Sequence, residues 1–303
     1  GGRGGVTVGR AVRMGVWSGL EIETTLDPAE QPFLDHHRID GTPVLPGVMG
    51  VEAFAQAASF LFPDLTVQAV ENVEFLAPFK FYRDAPRTMT IRLQLRSDGD
   101  GLVALCTLLG SRTLPNQSEP QVTEHFRARV RLTAGPPAEP PGEPAVAAPR
   151  PVPAAGAVGA GDVYKVYFHG PAYQVVGEAW KDGDRIAGRL ADGLPPNHQP
   201  AALPTLMEPR LIELCFQTAG IGELGTHGRM ALPLRVDSVR TLRRPNSEAL
   251  YAVTHPQNGG GGVDAWVVDG QGNVYLALSG YRTIELPGGM TPEVLQPFQT
   301  AMA

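Results

Sequence analysis

Residues 37–56 read HRIDGTPVLPGVMGVEAFAQ, and residues 198–217 read HQPAALPTLMEPRLIELCFQ. Both stretches carry His, fourteen residues, Glu, three residues, Gln. At an offset of 161, His37 falls on His198, Glu52 on Glu213 and Gln56 on Gln217. In the first copy Val48, Val51, Ala55 and Ala58 recur at helical spacing, and Pro46 suits the entry to a helix. The pattern predicts a helix over 47–61. The second copy predicts one over 206–219, with Pro209 in its first turn. Glu and Gln four residues apart share a face of each helix. A carboxylate on an otherwise apolar helix is expensive to bury unless it is paired or used.

Outward from each helix the sequence turns β-rich. Strands are predicted at 66–81, 88–96, 102–109 and 122–132 after the first helix. After the second they are predicted at 229–242, 249–255, 263–269 and 273–285. The run DGQGN at 269–273 supplies turn residues between the last two. One main helix followed by antiparallel strands, twice, is an α+β duplication. Between the copies, residues 134–161 hold eight of the 29 prolines, five glycines and three charged residues. Such a stretch cannot bury enough surface to fold and reads as a semi-rigid spacer. The expected organisation is therefore 1–133, a linker over 134–161, and 162–303.

Composition excludes several classes. Lys and Arg number 25 against 31 Asp and Glu, a net charge of −6, so no general cation excess exists to bind nucleic acid. Two cysteines, Cys106 and Cys215, cannot build a disulfide framework or a Cys-based zinc motif and read as small buried hydrophobes. His125, His227 and His255 lack partners at metal-ligand spacing, and no metal site is expected. No apolar run approaches the ~18 residues of a membrane span. The opening Gly-Gly-Arg-Gly-Gly has no signal-peptide pattern and reads as an interior piece of a longer, cytoplasmic polypeptide.

The run His37, Gly41, Pro46 has the form HxxxGxxxxP. It resembles the signature of polyketide synthase dehydratase domains. Its continuation to Glu52 and Gln56 is similar to the free-standing β-hydroxyacyl-carrier-protein dehydratases of fatty acid synthesis. Tyr167, His169, Gly170, Pro171 and Tyr173, in VYFHGPAYQVV, resemble the GYxxGPxF motif, with Tyr for the final Phe and no leading Gly. Leu232 and Pro233 resemble an LPxxV-like strand. PRLIELCFQ at 209–217 resembles HPxLLDxxxQ, with Glu213 where that family has Asp and Glu208 in place of its His. The wording is closer to iterative, polyene-forming synthases (enediyne or polyunsaturated-fatty-acid type) than to modular ones.

The resemblance implies a double hotdog: two long helices, each wrapped by an antiparallel sheet. It implies dehydration of a β-hydroxyacyl thioester, carried on the phosphopantetheine arm of an acyl carrier protein, in a syn-type elimination giving an enoyl thioester. His37 would be the base and Glu213 the acid, with Gln217 orienting Glu213. Gly41 and Pro46 would fix the loop, and the N–H groups from Gly47 would face the thioester oxygen. Tyr167, His169, Gly170, Pro171, Tyr173, Leu232 and Pro233 would line the substrate pocket. No bound cofactor is expected. The partners would be the carrier protein and neighbouring domains of a megaenzyme, and the chain is compatible with a homodimer.

The chemistry explains these residue types. Dehydration needs one group to take a weakly acidic α-proton and another to protonate a poor leaving group. Neutral His suits the first near pH 7. A carboxyl kept protonated by desolvation suits the second. Other readings stand beside these. Glu213 could pair with an Arg, and Tyr167 and His169 could pack beneath a pocket. Glu52 with His198 could form a second site, although Ala202 and Met207 replace Gly41 and Pro46 in that copy. The alternative for that pair is a structural vestige. Rival activities are a product-template-like cyclase, an enoyl isomerase, or a degenerate structural hotdog.

Overall fold

The structure is a computed structural model. It describes residues 5–15, 19–99, 101–113, 119–136, 146–153, 156–257, 261–286 and 290–303. Two compact units emerge: residues 1–137 with 196–209, and residues 138–195 with 210–303. Residues 196–209, expected with the second half, therefore cluster with the first.

The first unit contains β1 (Arg10–Gly15), β2 (Gly19–Leu26), a short α1 (Pro32–Asp35), the small hairpin β3 (Arg38–Ile39) and β4 (Thr42–Pro43), and α2 (Gly47–Leu61). Then follow β5 (Thr66–Phe75), β6 (Arg87–Asp98), β7 (Gly101–Arg112) and β8 (Gln121–Thr133). The sheet order is β1-β2-β6-β7-β8-β5, antiparallel throughout. Alternation drives it. In β6, Met89, Ile91 and Leu93 are buried while Arg92 and Gln94 face out. α2 packs on β5, β6, β7 and β8 and matches its predicted span. The predicted strand 66–81 stops at Phe75, and the following segment turns back to pin the 43–45 loop. There Leu45 N–H donates to the Phe79 carbonyl (3.0 Å) and Phe81 N–H to that of Pro43 (2.9 Å).

The second unit contains β9 (Val158–Gly159), α3 (Ala160–Val166), β10 (Val176–Asp182), β11 (Arg185–Leu190) and α4 (Pro209–His227). It continues with β12 (Ala231–Thr241), β13 (Leu250–Pro256), β14 (Val263–Asp269), β15 (Val274–Glu285) and α5 (Pro292–Met302). Its strand order is β12-β15-β14-β13-β11-β10-β9. Buried Leu211, Ile212, Leu214, Cys215, Phe216, Ile221 and Leu224 make α4 the unit's central helix. Phe216 stacks on Tyr281 of β15, ring centroids 4.3 Å apart. Each unit thus has one long helix against an antiparallel sheet.

Two further features differ from expectation. α4 runs on to His227, where residues 206–219 were expected. Gly222 and Gly225 there meet Ile186 and Met302 so closely that a Cβ would lie 2.1 and 2.3 Å from side-chain carbons. These glycines permit close packing and do not end the helix. The stretch 134–161, expected as a spacer, is partly built into the second unit. Val158 and Gly159 pair with β10, and Ala160 begins α3. Arg150 is bound to buried Asp182, and Arg185 donates to the Ala147 carbonyl (3.1 Å). Residues 137–145 and 154–155 of that stretch lie outside the described residues.

Candidate active site

His37 follows α1 at the start of the β3–β4 hairpin. Its backbone carbonyl accepts from Val44 N–H (2.9 Å), and its Nδ1 lies 2.8 Å from the Val44 carbonyl. A carbonyl only accepts, so Nδ1 carries the hydrogen and Nε2 is the basic nitrogen. The residue is 9 % exposed. Gly41 forms the hairpin turn at φ +76°, a left-handed conformation suited to glycine. Pro46 caps α2 without a side-chain bond; its carbonyl accepts from Met49 and Gly50 N–H (3.0 and 3.2 Å), and the Gly47 and Val48 N–H groups precede these at the helix's positive end. A Cβ on Gly47 would lie 2.7 Å from the Phe75 ring. His37, Gly41, Pro46 and Gly47 thus form one pinned loop and helix entry.

Glu213 sits on the second turn of α4, 6 % exposed. Gln217 Nε2, one turn on, donates to Glu213 Oε1 (2.9 Å) and to the Tyr173 carbonyl (2.9 Å). Gln217 Oε1 accepts from Tyr164 Oη (2.8 Å), which in turn accepts from Val176 N–H (2.7 Å). The orienting contact implied by the i, i+4 spacing is present. A contact that spacing did not announce is also present: His169 Nε2 lies 3.1 Å from the same Glu213 Oε1, both side chains 8 % exposed. The His169 ring stacks on Phe168 and meets Tyr167 edge-on.

Tyr167 donates to the Gln217 carbonyl (3.2 Å), and its hydroxyl packs against Gly220. Gly170 opens the 3₁₀ turn Pro171–Tyr173, and Tyr173 is fully buried. Burial holds the Tyr164, Tyr167 and Tyr281 hydroxyls above their ordinary range, and the nearby Glu213 charge adds to it. They stay protonated and neutral around the carboxyl. Leu232 and Pro233 lie on β12, paired with Ile284 and Thr283 of β15. The two cysteines are buried, and burial raises both thiols well above the usual range.

Glu52 repeats the Glu213 arrangement and then departs from it. Gln56 Nε2 donates to Glu52 Oε1 (2.5 Å), as Gln217 does to Glu213. The remaining donors to Glu52 are backbone: Leu206 N–H (2.8 Å to Oε1) and Met207 N–H (2.7 Å to Oε2). Full burial pushes its pKa up to about 7, outweighing those hydrogen bonds. His198 Nε2 donates to the Leu203 carbonyl (2.9 Å), and its Nδ1 faces Asn197 Nδ2 (3.3 Å). No hydrogen bond or ion pair joins Glu52 to His198 among the described residues.

The comparisons bear on the same residues. The family profile described as "Polyketide synthase dehydratase N-terminal domain" matches residues 138–292. A second, "Polyketide synthase dehydratase domain", matches residues 7–107. The chain belongs to the polyketide synthase dehydratase family. The dehydratase domains of this family are hydro-lyases that remove water from β-hydroxyacyl chains in polyketide synthesis. The chain is 26 % identical over 270 residues to polyketide synthase ThaG of Burkholderia thailandensis. That match covers 84 % of this chain and 4 % of ThaG, so the chain spans a small part of that relative's length.

Among solved structures, the dehydratase domain from the CurF module of curacin polyketide synthase matches with a TM-score of 0.72 at 17 % identity. It covers 93 % of this chain and 100 % of that one. A trans-AT dehydratase domain from Brevibacillus brevis matches with the same TM-score and identity, covering 93 % and 99 %. These likenesses establish the double-hotdog fold. Structures of the CurK dehydratase include inactive mutants with one aspartate or one histidine replaced, at TM-scores of 0.71 and 0.72 and 15 % identity.

Proposed function

We propose that the dehydratase works with His37 as base and Glu213 as acid, on a β-hydroxyacyl thioester carried by an acyl carrier protein. The observation that carries this reading is the Nδ1–H bond from His37 to the Val44 carbonyl, which leaves the lone pair on Nε2. Nε2 takes the α-proton, and the C–H electron pair forms the new double bond. The β-carbon–oxygen bond breaks, and its electron pair leaves on oxygen, which takes the Glu213 proton and departs as water. Oε1 of Glu213 accepts from Gln217 Nε2 and lies 3.1 Å from His169 Nε2, which holds the carboxyl in place. The thioester oxygen gains charge as the α-proton leaves, and the N–H groups from Gly47 would stabilise it.

Glu for Asp is one methylene longer, and the Gln217 contact holds the longer side chain in place. The inactive CurK variants accord with a chemistry that needs both a histidine and a carboxylate. His169 meets Glu213, Tyr167 lies within reach of its charge and the Tyr173 carbonyl accepts from Gln217, which supports a pocket wall there carried by this motif with its Gly170 and Pro171. Leu232 and Pro233 would extend it. The phosphopantetheine arm belongs to the carrier protein, so the chemistry asks no cofactor of this domain. Neighbouring domains of one cytoplasmic megaenzyme are the expected partners, and the chain is compatible with a homodimer.

Mass spectrometry of a β-hydroxyacyl carrier protein incubated with the domain tests this. The unaltered domain should remove one water, and His37→Ala and Glu213→Gln should each lose most turnover while keeping their thermal unfolding. Full turnover in either folded variant removes that residue from the mechanism. No water loss across a series of chain lengths overturns the reading.

A further inference from the structure

We propose that Arg87 is a positioning residue for His37, acting through the peptide plane that fixes which imidazole nitrogen is basic. The proposal rests on the reading of His37 as the base. His37 Nδ1 donates to the Val44 carbonyl (2.8 Å). That carbonyl and Leu45 N–H belong to one planar trans peptide and point to opposite sides of the chain. Leu45 N–H donates to the Phe79 carbonyl (3.0 Å). The plane is thus held by His37 at one edge and by Phe79 at the other. A tilt imposed at Phe79 turns the Val44 carbonyl away from Nδ1.

Residues 76–81 follow β5 and lie outside any strand, apart from the isolated bridge between Lys80 and Val44. Their near end is tied to β8. The His125 carbonyl accepts from Leu76 and Ala77 N–H (2.8 and 3.1 Å), and His125 Nδ1 donates to the Ala77 carbonyl (3.1 Å). Their far end is tied by Arg87, which grips two consecutive residues. Its guanidinium lies 3.9 Å over the Phe79 ring, and Nη1 donates to the Lys80 carbonyl (2.9 Å). A planar fork can make both contacts at once, and an ammonium cannot. Arg87 is the first residue of β6 and pairs with Leu26 of β2, so it passes the sheet's rigidity to the segment. β7 leaves room for the grip. A Cβ on Gly110 would lie 2.6 Å from Arg87 Nη2 and 2.5 Å from His125 Nε2.

Without the grip, Phe79 and Lys80 can shift and the Val44 carbonyl loses its aim. The tautomer with hydrogen on Nε2 then becomes accessible to His37. That form has no lone pair on Nε2 with which to take an α-proton. The defect lies in the chemical step, so kcat should carry it and KM should not.

Turnover measured beside NMR of nitrogen-labelled histidine tests this, with the His37 signals identified by their absence from His37→Ala. Arg87→Met keeps the aliphatic stem without the donor or the charge. Its kcat should fall ~10- to 100-fold with KM within about threefold, the size expected for a misplaced base. Its His37 signals should change from one tautomer to a mixture. Arg87→Lys keeps a cation without the fork and should fall between in both readouts. Gly110→Ala, which crowds Arg87 without removing it, should move both in the same direction. Arg112→Met removes a neighbouring charge that lies over the exposed Tyr82 ring (4.9 Å), and should leave both unchanged.

His37→Ala reports on the underlying reading separately. If it keeps turnover, His37 is not the base and both readings fall. If it is inactive while Arg87→Met keeps the unaltered kcat, the positioning role alone is refuted. A lowered kcat with His37 still in a single tautomer refutes it as well, and so does an equal loss in Arg112→Met. Should Arg87→Met fail to fold, Arg87→Lys decides by the same criteria.

Discussion

Replacing Glu52 with Ala should destabilise the first unit by about 3–6 kcal/mol. Glu52 is fully buried and accepts from the Leu206 and Met207 N–H groups and from Gln56. Truncation strands three donors in an apolar interior, each costing roughly 1–3 kcal/mol. Gln56 also accepts from Thr7, so it cannot turn away without breaking another bond. The low end per donor already gives about 3 kcal/mol, before any cavity is counted. At roughly 2–4 °C per kcal/mol for a domain of this size, the melting temperature should fall on the order of 10 °C. Thermal unfolding measures that loss. Amide exchange at Leu206 and Met207 should quicken with it, because their acceptor is gone. Glu52→Gln keeps the shape and one acceptor oxygen and should fall between the two. An Ala variant melting within 2 °C of the unaltered protein, with unchanged exchange at 206–207, would falsify this reasoning. Lost turnover in a Gln variant of undiminished stability would instead put Glu52 in the chemistry.

The same carboxyl predicts a pH effect of defined sign. Its folded pKa is about 7 against 4.5 for the ordinary group, so between those values the folded state binds the extra proton. Stability from this group is full below about 4.5, falls as pH rises towards 7 and is level above, by up to about 3 kcal/mol. Urea unfolding of the unaltered protein against Glu52→Gln should show their gap widening from pH 7.5 to pH 5; a constant gap contradicts the assignment. Gly47→Ala should destabilise by about 1–3 kcal/mol, because its Cβ meets Phe75, itself held edge-on by Phe126 at 5.4 Å. A melting temperature equal to the unaltered protein's would mean that Phe75 has room to give.

The legible parts of the fold are those where one local rule acts alone. α2 shows in the sequence because apolar periodicity and Pro46 agree, and β6 because its alternation is unbroken. α4 is readable at its start and not at its end, since Gly220, Gly222 and Gly225 look like punctuation until their packing partners are known. β1, β2, β10 and β11 do not stand out among glycines and short runs, nor does α5 behind Pro292 and Pro297. At the candidate site the Gln217–Glu213 bond follows from spacing on one helix. The His169–Glu213 contact joins residues 44 apart in sequence, and no periodicity relates them. Its one signal was a titratable residue in VYFHGPAYQ, set between an aromatic pair and Gly-Pro.

The repeat explains why identical residues need not do identical work. Glu52 and Glu213 occupy matching helix positions, each with a Gln donor one turn on. What differs is the third partner. Backbone N–H groups of Leu206 and Met207 meet Glu52, and a backbone donor is fixed in place and keeps its proton. A side-chain imidazole meets Glu213, and a side chain can turn with its own loop. The histidines diverge in the same sense. His37 commits Nδ1 to a carbonyl, which makes Nε2 the basic nitrogen, whereas His198 turns Nε2 to a carbonyl and Nδ1 to an amide. A carboxyl tied to rigid donors works as a strap for the 204–207 segment, and a histidine with both nitrogens engaged works as a brace. Chemistry is then expected where a directed lone pair survives or a carboxyl is not tied down by backbone donors, which points to His37 and Glu213 and away from Glu52 and His198.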